Sequence, residues 1–278
     1  MGSIKVMVNG LPGKVSSKVS EHIVQEPGLQ LLPHALTGPE IADKTVQIGP
    51  QSIQLIRPDE RESLITTLKE QEGQFICVDF THPTAVNDNA AFYCDNEVPF
   101  VMGTTGGDRE KLAETVEASK TCAVIAPNMA KQIVAFQAMM AYAAESFPGM
   151  FHGYRLEVRE SHQKGKADTS GTAKAMIEYF NKLGTPFRKE QIVMERDPEV
   201  QKREWGIPEE YLDGHGWHTY TLRSEDGTVF FQFTHNVNGR DIYARGTIDA
   251  IRYLNEKLAQ GAGGKVFSMI DVLKGTES

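Results

Sequence analysis

Five short apolar runs punctuate the first half of the chain: Ile4–Val8, Leu29–Ala35, Phe75–Phe80, Val98–Met102 and Cys122–Ala126. Each predicts a buried strand. Between the later runs, Asp59–Gln71, Pro83–Asn96 and Gly107–Ser119 carry the spacing of amphipathic helices. Alternating strands and helices imply an α/β domain whose parallel sheet is covered on both faces, with right-handed crossovers. The texture changes near residue 128. Met129–Phe147 reads as one long helix, Tyr154–Ser161 as a strand and Gly171–Leu183 as a helix. After the polar, Pro-punctuated segment Arg196–Gly214 come three strand-like runs: His218–Arg223, Val229–His235 and Asp241–Arg245. Turn signals at Glu225-Asp226-Gly227 and Asn238-Gly239 separate them and predict adjacent hairpins, hence a second, α+β domain. Ile248, Ile251, Leu254 and Leu258 mark a last amphipathic helix, and Val266–Leu273 a final apolar piece after the flexible turn Gly261–Gly264.

The 278 residues suffice for one large or two modest domains. With 29 basic and 37 acidic side chains the formal net charge is −8, which argues against wrapping nucleic acid or an anionic membrane. No apolar run approaches a membrane span. Cys77, Cys94 and Cys122 are odd in number and scattered, so neither a disulfide scaffold nor a cysteine-rich metal site is expected, and the compartment is expected to be reducing. No secretory signal stands at the start, and a transit peptide is expected to be missing from this sequence.

The first strand runs into Asn9-Gly10-Leu11-Pro12-Gly13-Lys14-Val15, followed by a helix. Glycines there let backbone approach a pyrophosphate, and a helix start offers free N–H groups to it; a plain tight turn gives the same pattern. The second strand ends at Thr37-Gly38 without the acidic residue of a strict NAD site, and Lys14 stands near enough to meet a 2′-phosphate. This favours NADPH, with NADH an alternative. Asp79-Phe80-Thr81, Gly103-Thr104-Thr105 and Pro127-Asn128-Met129 follow later strands, at the sheet edge where ligands of such folds bind.

The densest chemistry lies in Glu160-Ser-His162-Gln163-Lys164-Gly-Lys166-Ala-Asp168-Thr-Ser170-Gly171-Thr172-Ala173. A strand delivers His162, a loop presents Lys166, and Ser170 is a natural N-cap whose following N–H groups would bind a carboxylate. A capped helix beside a solvated basic loop is the plainer reading. His215 and His218 raise the question of a metal, but no third ligand is spaced nearby, so none is expected.

The pattern Glu-x-His-x-x-x-Lys-x-Asp-x-Ser-Gly-Thr-Ala resembles the signature of the 4-hydroxy-tetrahydrodipicolinate (dihydrodipicolinate) reductases, and the likeness runs over nearly the whole chain. Gln163 after His162, the shorter Asp168–Ser170 spacing and Ser16 at the third glycine position resemble the plant branch rather than the common bacterial pattern. The resemblance implies a Rossmann-type doubly wound domain, residues 1–128 completed by 247–278, and a substrate and oligomerisation domain, 129–246. It implies hinges near residues 128 and 246, reduction of a small cyclic dicarboxylate by NADPH, and a homodimer or homotetramer. A plant enzyme of this kind is expected in the plastid, another in the cytoplasm. The family's roles transfer to Lys166 as proton donor, His162 as its acid/base or orienting partner, and Ser170, Gly171, Thr172, Gln163 and Arg240 as substrate contacts. His235 is read as a sheet histidine. Two rivals remain: another NADPH-linked dehydrogenase, and a nucleotide-sensing regulator without turnover.

Overall fold

The computed structural model describes residues 2–275. In chain order the strands and helices begin with β1 (Ile4–Asn9), α1 (Lys14–Gln25), β2 (Leu29–Leu31), β3 (His34–Leu36), β4 (Thr45–Ile48) and β5 (Gln51–Ile56). Then follow α2 (Arg61–Glu72), β6 (Ile76–Asp79), α3 (Val86–Asp95), β7 (Phe100–Met102), α4 (Arg109–Glu117) and β8 (Cys122–Ile125). The middle of the chain holds α5 (Lys131–Ser146), β9 (Tyr154–His162), α6 (Gly171–Lys182), β10 (Val193–Glu195) and α7 (Pro198–Arg203). It continues through β11 (His215–Ser224), β12 (Phe230–Asn238), α8 (Asp241–Ala259), β13 (Lys265–Phe267) and α9 (Met269–Gly275). The fold divides into two compact units, residues 1–131 with 241–278, and residues 132–240. None of the described helices is long and apolar enough to cross a membrane.

The first unit is built on a six-stranded sheet of order β13-β8-β7-β6-β1-β2, parallel throughout. The run Leu29–Ala35 does not form one strand. It breaks at Leu32-Pro33, because proline cannot donate to a ladder. Its second half, β3, joins a small separate sheet with β5 and β4. The hairpin β4–β5 escaped the sequence reading, although Val46-x-Ile48 and Ile53-x-Leu55 alternate across Gly49-Pro50. The run Asp241–Arg245 is not a strand but the first turn and a half of α8. Its apolar positions continue backward the stripe of Ile248, Ile251 and Leu254, with Ala244 buried, and five residues of alternation do not distinguish the two periods. Helix α8 packs on α1 and across β7 and β8. The piece Val266–Leu273 divides into β13, pairing β8, and α9. All three cysteines are buried and unpaired.

A polar knot sits inside this unit where β1 and β6 end. Asp79 is fully buried and its carboxylate accepts from Tyr93 Oη (2.8 Å), Asn89 Nδ2 (2.9 Å), Thr104 Oγ1 (2.6 Å) and the N–H and hydroxyl of Thr81. Asn9, also fully buried, donates to Tyr93 Oη at 2.9 Å and accepts from Leu36 N–H at 2.8 Å. The knot therefore ties the ends of β1, β3, β6 and β7 together.

The second unit is a four-stranded sheet, order β10-β9-β11-β12, in which β11 runs antiparallel to both its neighbours and β10 parallel to β9. One face carries Val158, Tyr220, Leu222 and Phe233 against Ala173, Met176, Ile177 and Phe180 of α6 and Met140 and Ala144 of α5. Period-2 alternation continues that face along β9 through Glu160 to His162 and along β11 through His218. The core thus changes from apolar to polar toward the start of α6.

Tyr93→Phe removes one hydroxyl and strands the buried carboxylate and amide it joined. The expected cost is about 1–3 kcal/mol in urea unfolding; an unchanged midpoint would show that the knot carries no stability.

Candidate active site

The order of the six-stranded sheet reverses beside β1, the switch point at which open α/β sheets bind ligands. A cavity of about 1270 Å³ opens there, walled by Gly10–Gly13, Leu36–Ile41, Phe80–His82 and residues of α2 and α3. It exceeds the roughly 300–1,000 Å³ of a drug-sized ligand site and suits an extended dinucleotide. The turn before α1 is held by Gly13 N–H to Gly10 C=O (2.9 Å), and Thr37 Oγ1 donates to Leu11 C=O at 2.8 Å. Gly10 has φ +93°, and a Cβ there would strike the Phe80 carbonyl, so only glycine fits. Ser16, at the third glycine position, is fully buried and its hydroxyl reaches both Gly10 and Gly13 carbonyls (2.8 and 2.9 Å), pinning the turn. The first turn of α1 has no side-chain cap and no acidic residue, which leaves its N–H groups open to an anion.

In the second unit the motif 160–173 folds around Glu160, which is fully buried. Arg196 pairs with its Oε1, and Ser170 N–H donates to Oε2 at 3.1 Å. Arg196 Nε also donates to Lys166 C=O at 2.8 Å, fastening the lysine loop. Burial pushes the Glu160 carboxyl up, but the imidazole of His218, the guanidinium of Arg196 and the Ser170 N–H outweigh it and hold it at about 2. His162 is nine-tenths buried; its Nδ1 lies 3.1 Å from His215 C=O and its Nε2 lies 3.3 Å from His218 Nε2. Burial, and then the His218 imidazole, bring His162 down to about 4, although Glu160 pulls the other way. At neutral pH His162 is therefore uncharged. Ser170 caps α6 by accepting from Ala173 N–H at 3.0 Å, and the turn it opens has no acidic residue. The N–H groups of Gly171 and Thr172 have no acceptor among the described residues. His235 stacks on His218 with centroids 4.6 Å apart, a sheet histidine held at about 3 by burial and its imidazole neighbours.

Of the nucleotide candidates, Gly10, Leu11, Pro12, Gly13, Thr37, Phe80 and Thr81 wall the cavity, and Lys14 and Val15 open α1 beside it. Asn9, Asp79 and Thr104 lie buried beneath as the knot, so their side chains organise the site from below. Gly103, Thr105, Pro127 and Asn128 sit past the ends of β7 and β8, and Met129 is buried. Of the substrate candidates, His162, Ser170, Gly171 and Thr172 converge, and Gln163 and Lys166 occupy the loop between them. Arg240 lies over Gly214 at the end of β12.

The sequence reading missed Arg196, Gln201 and the part played by His218. Gln201 is fully buried and donates to His162 C=O at 2.7 Å. Arg196 lies 36 residues from its partner and had no periodic signal. His218 stands directly opposite Glu160 in the β9–β11 ladder, a pairing that sequence spacing does not encode. No third ligand is spaced near His215 and His218 in the sequence, but the fold brings others to His218. Glu160, His162 and His218 bring one potential ligand atom each within 4.8 Å of one another, through strand pairing rather than sequence spacing. Arg196 and Ser170 already supply donors to the carboxylate. His215 turns away, to Ser161 Oγ and Tyr211 C=O.

Residues 4–129 match the family model for the N-terminus of dihydrodipicolinate reductase, and residues 132–273 the model for its C-terminus. The chain is 48% identical over 271 residues to 4-hydroxy-tetrahydrodipicolinate reductase 2, chloroplastic, of Arabidopsis thaliana, covering 98% of this chain and 77% of that one. It is 27% identical over 267 residues to the 4-hydroxy-tetrahydrodipicolinate reductase of Gloeothece citriformis, covering 91% of this chain and 94% of that one. The dipicolinate-bound dihydrodipicolinate reductase of Paenisporosarcina sp. TG-14 shares the fold, with a TM-score of 0.66 at 22% identity over 97% of this chain and 98% of that one. A pyridine-nucleotide dehydrogenase fold, the His162–Lys166–Ser170 constellation and two family models spanning both units agree, and the chain belongs to the dihydrodipicolinate reductase family.

Proposed function

We propose that this chain reduces 4-hydroxy-tetrahydrodipicolinate to tetrahydrodipicolinate, with loss of water, in lysine and diaminopimelate biosynthesis. The observation that carries the reading is the start of α6: two free backbone N–H groups and a hydroxyl beside a neutral imidazole and a lysine loop, a cradle for a carboxylate. The first unit would hold the coenzyme, with its diphosphate on the first turn of α1; when bound, the coenzyme supplies the hydride. Lys14, exposed on that turn, supports NADPH as the preferred form.

In the second unit Gly171 and Thr172 N–H groups would hold one carboxylate of the diacid, with Gln163 and Arg240 as further contacts. Hydride addition leaves negative charge on the ring, and a proton must meet it. Lys166 is the donor. His162, uncharged at neutral pH, has no proton to spare at Nε2; it orients the substrate and accepts. Glu160 and Arg196 hold the histidine pair and the lysine loop in register. The exposed apolar side chains Phe147, Met150, Phe230 and Phe231 support a homodimer, and the chloroplastic relative supports a plastid location. A monomer by light scattering, or activity confined to another compartment on fractionation, would contradict these two readings.

The test is coenzyme oxidation coupled to the preceding synthase with pyruvate and aspartate semialdehyde, run with NADPH and NADH in turn. Turnover with NADPH as the better coenzyme is expected; coenzyme binding without turnover would favour a sensor. Lys166→Ala should lower kcat by about 10²–10⁴ while leaving NADPH affinity intact; near-normal turnover would remove Lys166 from the chemistry.

Acid should destabilise the second unit. His162 and His235 are held near 4 and 3 in the folded state against an ordinary 6.5. The unfolded chain takes up protons that the folded chain refuses, so stability is whole above about pH 6.5 and falls below it. Each histidine contributes on the order of 1–2 kcal/mol by pH 5. Glu160, held at about 2 against 4.5, adds a loss that begins near pH 4.5. The thermal midpoint should therefore drop between pH 7 and pH 5, and a flat profile would contradict the burial of neutral imidazoles.

A further inference from the structure

The Ser170 hydroxyl is flanked on two sides inside the protein. It accepts from Ala173 N–H at 3.0 Å, and His218 Nε2 lies 2.7 Å away. Which of these last two atoms donates is decided by what surrounds the imidazole. Around His218 Nε2 stand Glu160 Oε2 at 3.6 Å and His162 Nε2 at 3.3 Å. The carboxylate only accepts. The His162 nitrogen also accepts, because its ring hydrogen is committed on Nδ1 to His215 C=O. The other nitrogen of His218, Nδ1, is buried and has no hydrogen-bond partner among the described residues. A buried N–H without an acceptor is the costlier orphan; a lone pair without a donor is tolerated better. A ring proton therefore resides on Nε2, where it finds acceptors.

We infer that His218 is a positioning residue that donates through Nε2 to Ser170 Oγ and so leaves the serine hydroxyl a donor only, its hydrogen directed at the carboxylate of the bound diacid. With Ala173 N–H and His218 Nε2–H on its two lone pairs, the hydroxyl has no further capacity to accept. Its hydrogen has no acceptor among the described residues. It joins the free N–H groups of Gly171 and Thr172 as a third donor on the same helix start. Strand pairing fixes the distance: His218 stands opposite Glu160 on β9, and Glu160 holds Ser170 N–H. This inference rests on the cradle assigned above to α6.

The test measures substrate KM, the inhibition constant of pyridine-2,6-dicarboxylate, kcat and NADPH affinity for Ser170→Ala, His218→Leu, His218→Gln and the Ser170→Ala/His218→Leu double variant. Losing one hydrogen bond to a charged group corresponds to about a tenfold to hundredfold weaker diacid. His218→Leu should show that loss with NADPH affinity unchanged. The double variant should be no worse than Ser170→Ala alone, since both remove the same contact. His218→Gln, whose amide places an N–H near the Nε2 position, should recover most of the affinity. Wild-type diacid affinity in His218→Leu, additive losses in the double variant, absence of rescue by glutamine, or equal loss of both ligands would overturn the inference. If Ser170→Ala itself binds the diacid normally, the cradle on α6 is wrong, and the failure belongs to the proposed function rather than to His218.

Discussion

Removing a carboxylate from water costs several kcal/mol unless donors replace its hydration, and Glu160 has no exposed surface at all. Its replacements are the guanidinium of Arg196 and the N–H of Ser170, the residue that caps α6, with the imidazole of His218 opposite on β11 at 3.6 Å. Glu160 and these three neighbours come from four separate stretches of sequence, so burying one charge obliges a strand, a loop, a helix start and a second strand to meet. The lysine loop is caught in the same arrangement, because Arg196 holds the Lys166 carbonyl while it pairs with Glu160. Positive charge, an uncharged imidazole and free amides are thereby collected at one end of a sheet face whose other end is ordinary apolar core.

The first unit uses the same device with a different residue. Asp79 is equally buried and accepts five hydrogen bonds where β1 and β6 part. In each unit a wholly buried acid lies beneath the proposed ligand surface and holds backbone turns beside it. Fully satisfied networks of this sort specify one arrangement, since any slip strands a charge in a low dielectric. The sequence reading placed Asp79 among the coenzyme contacts; its saturation by Tyr93, Asn89, Thr81 and Thr104 gives it the supporting part instead.

Strong periodicity was readable, and weak or ambiguous periodicity was not. Five of the six strands of the larger sheet are short Val-, Ile- or Cys-containing runs, and all but the proline-broken second run and the short β13 showed themselves whole. The hairpin of β4 and β5 hid because only alternate positions are apolar and its flanks are polar. Asp241–Arg245 misled because a helix start and a strand look alike over five residues; only the buried Ala244 in line with Ile248 separates them. At the site, His162, Lys166 and Ser170 were visible because one loop carries all three. Arg196 and His218 were invisible as partners because pairing of β9 with β11, and the return of the chain after β10, create contacts that sequence spacing does not encode. Ser16 shows the converse: a departure from the glycine pattern that the structure explains, its hydroxyl holding the carbonyls of the two glycines that remain.

The dependence of the proposed substrate cradle on one buried charge is tested most directly by Glu160→Gln, which keeps size and shape and removes the charge. Diacid turnover and NADPH binding are measured on the same preparation. The account predicts that kcat/KM for the diacid falls by at least about a hundredfold, the order seen when a partner of a buried ion pair is lost, while NADPH binds as tightly as before. Turnover within a few-fold of the unaltered chain would contradict it.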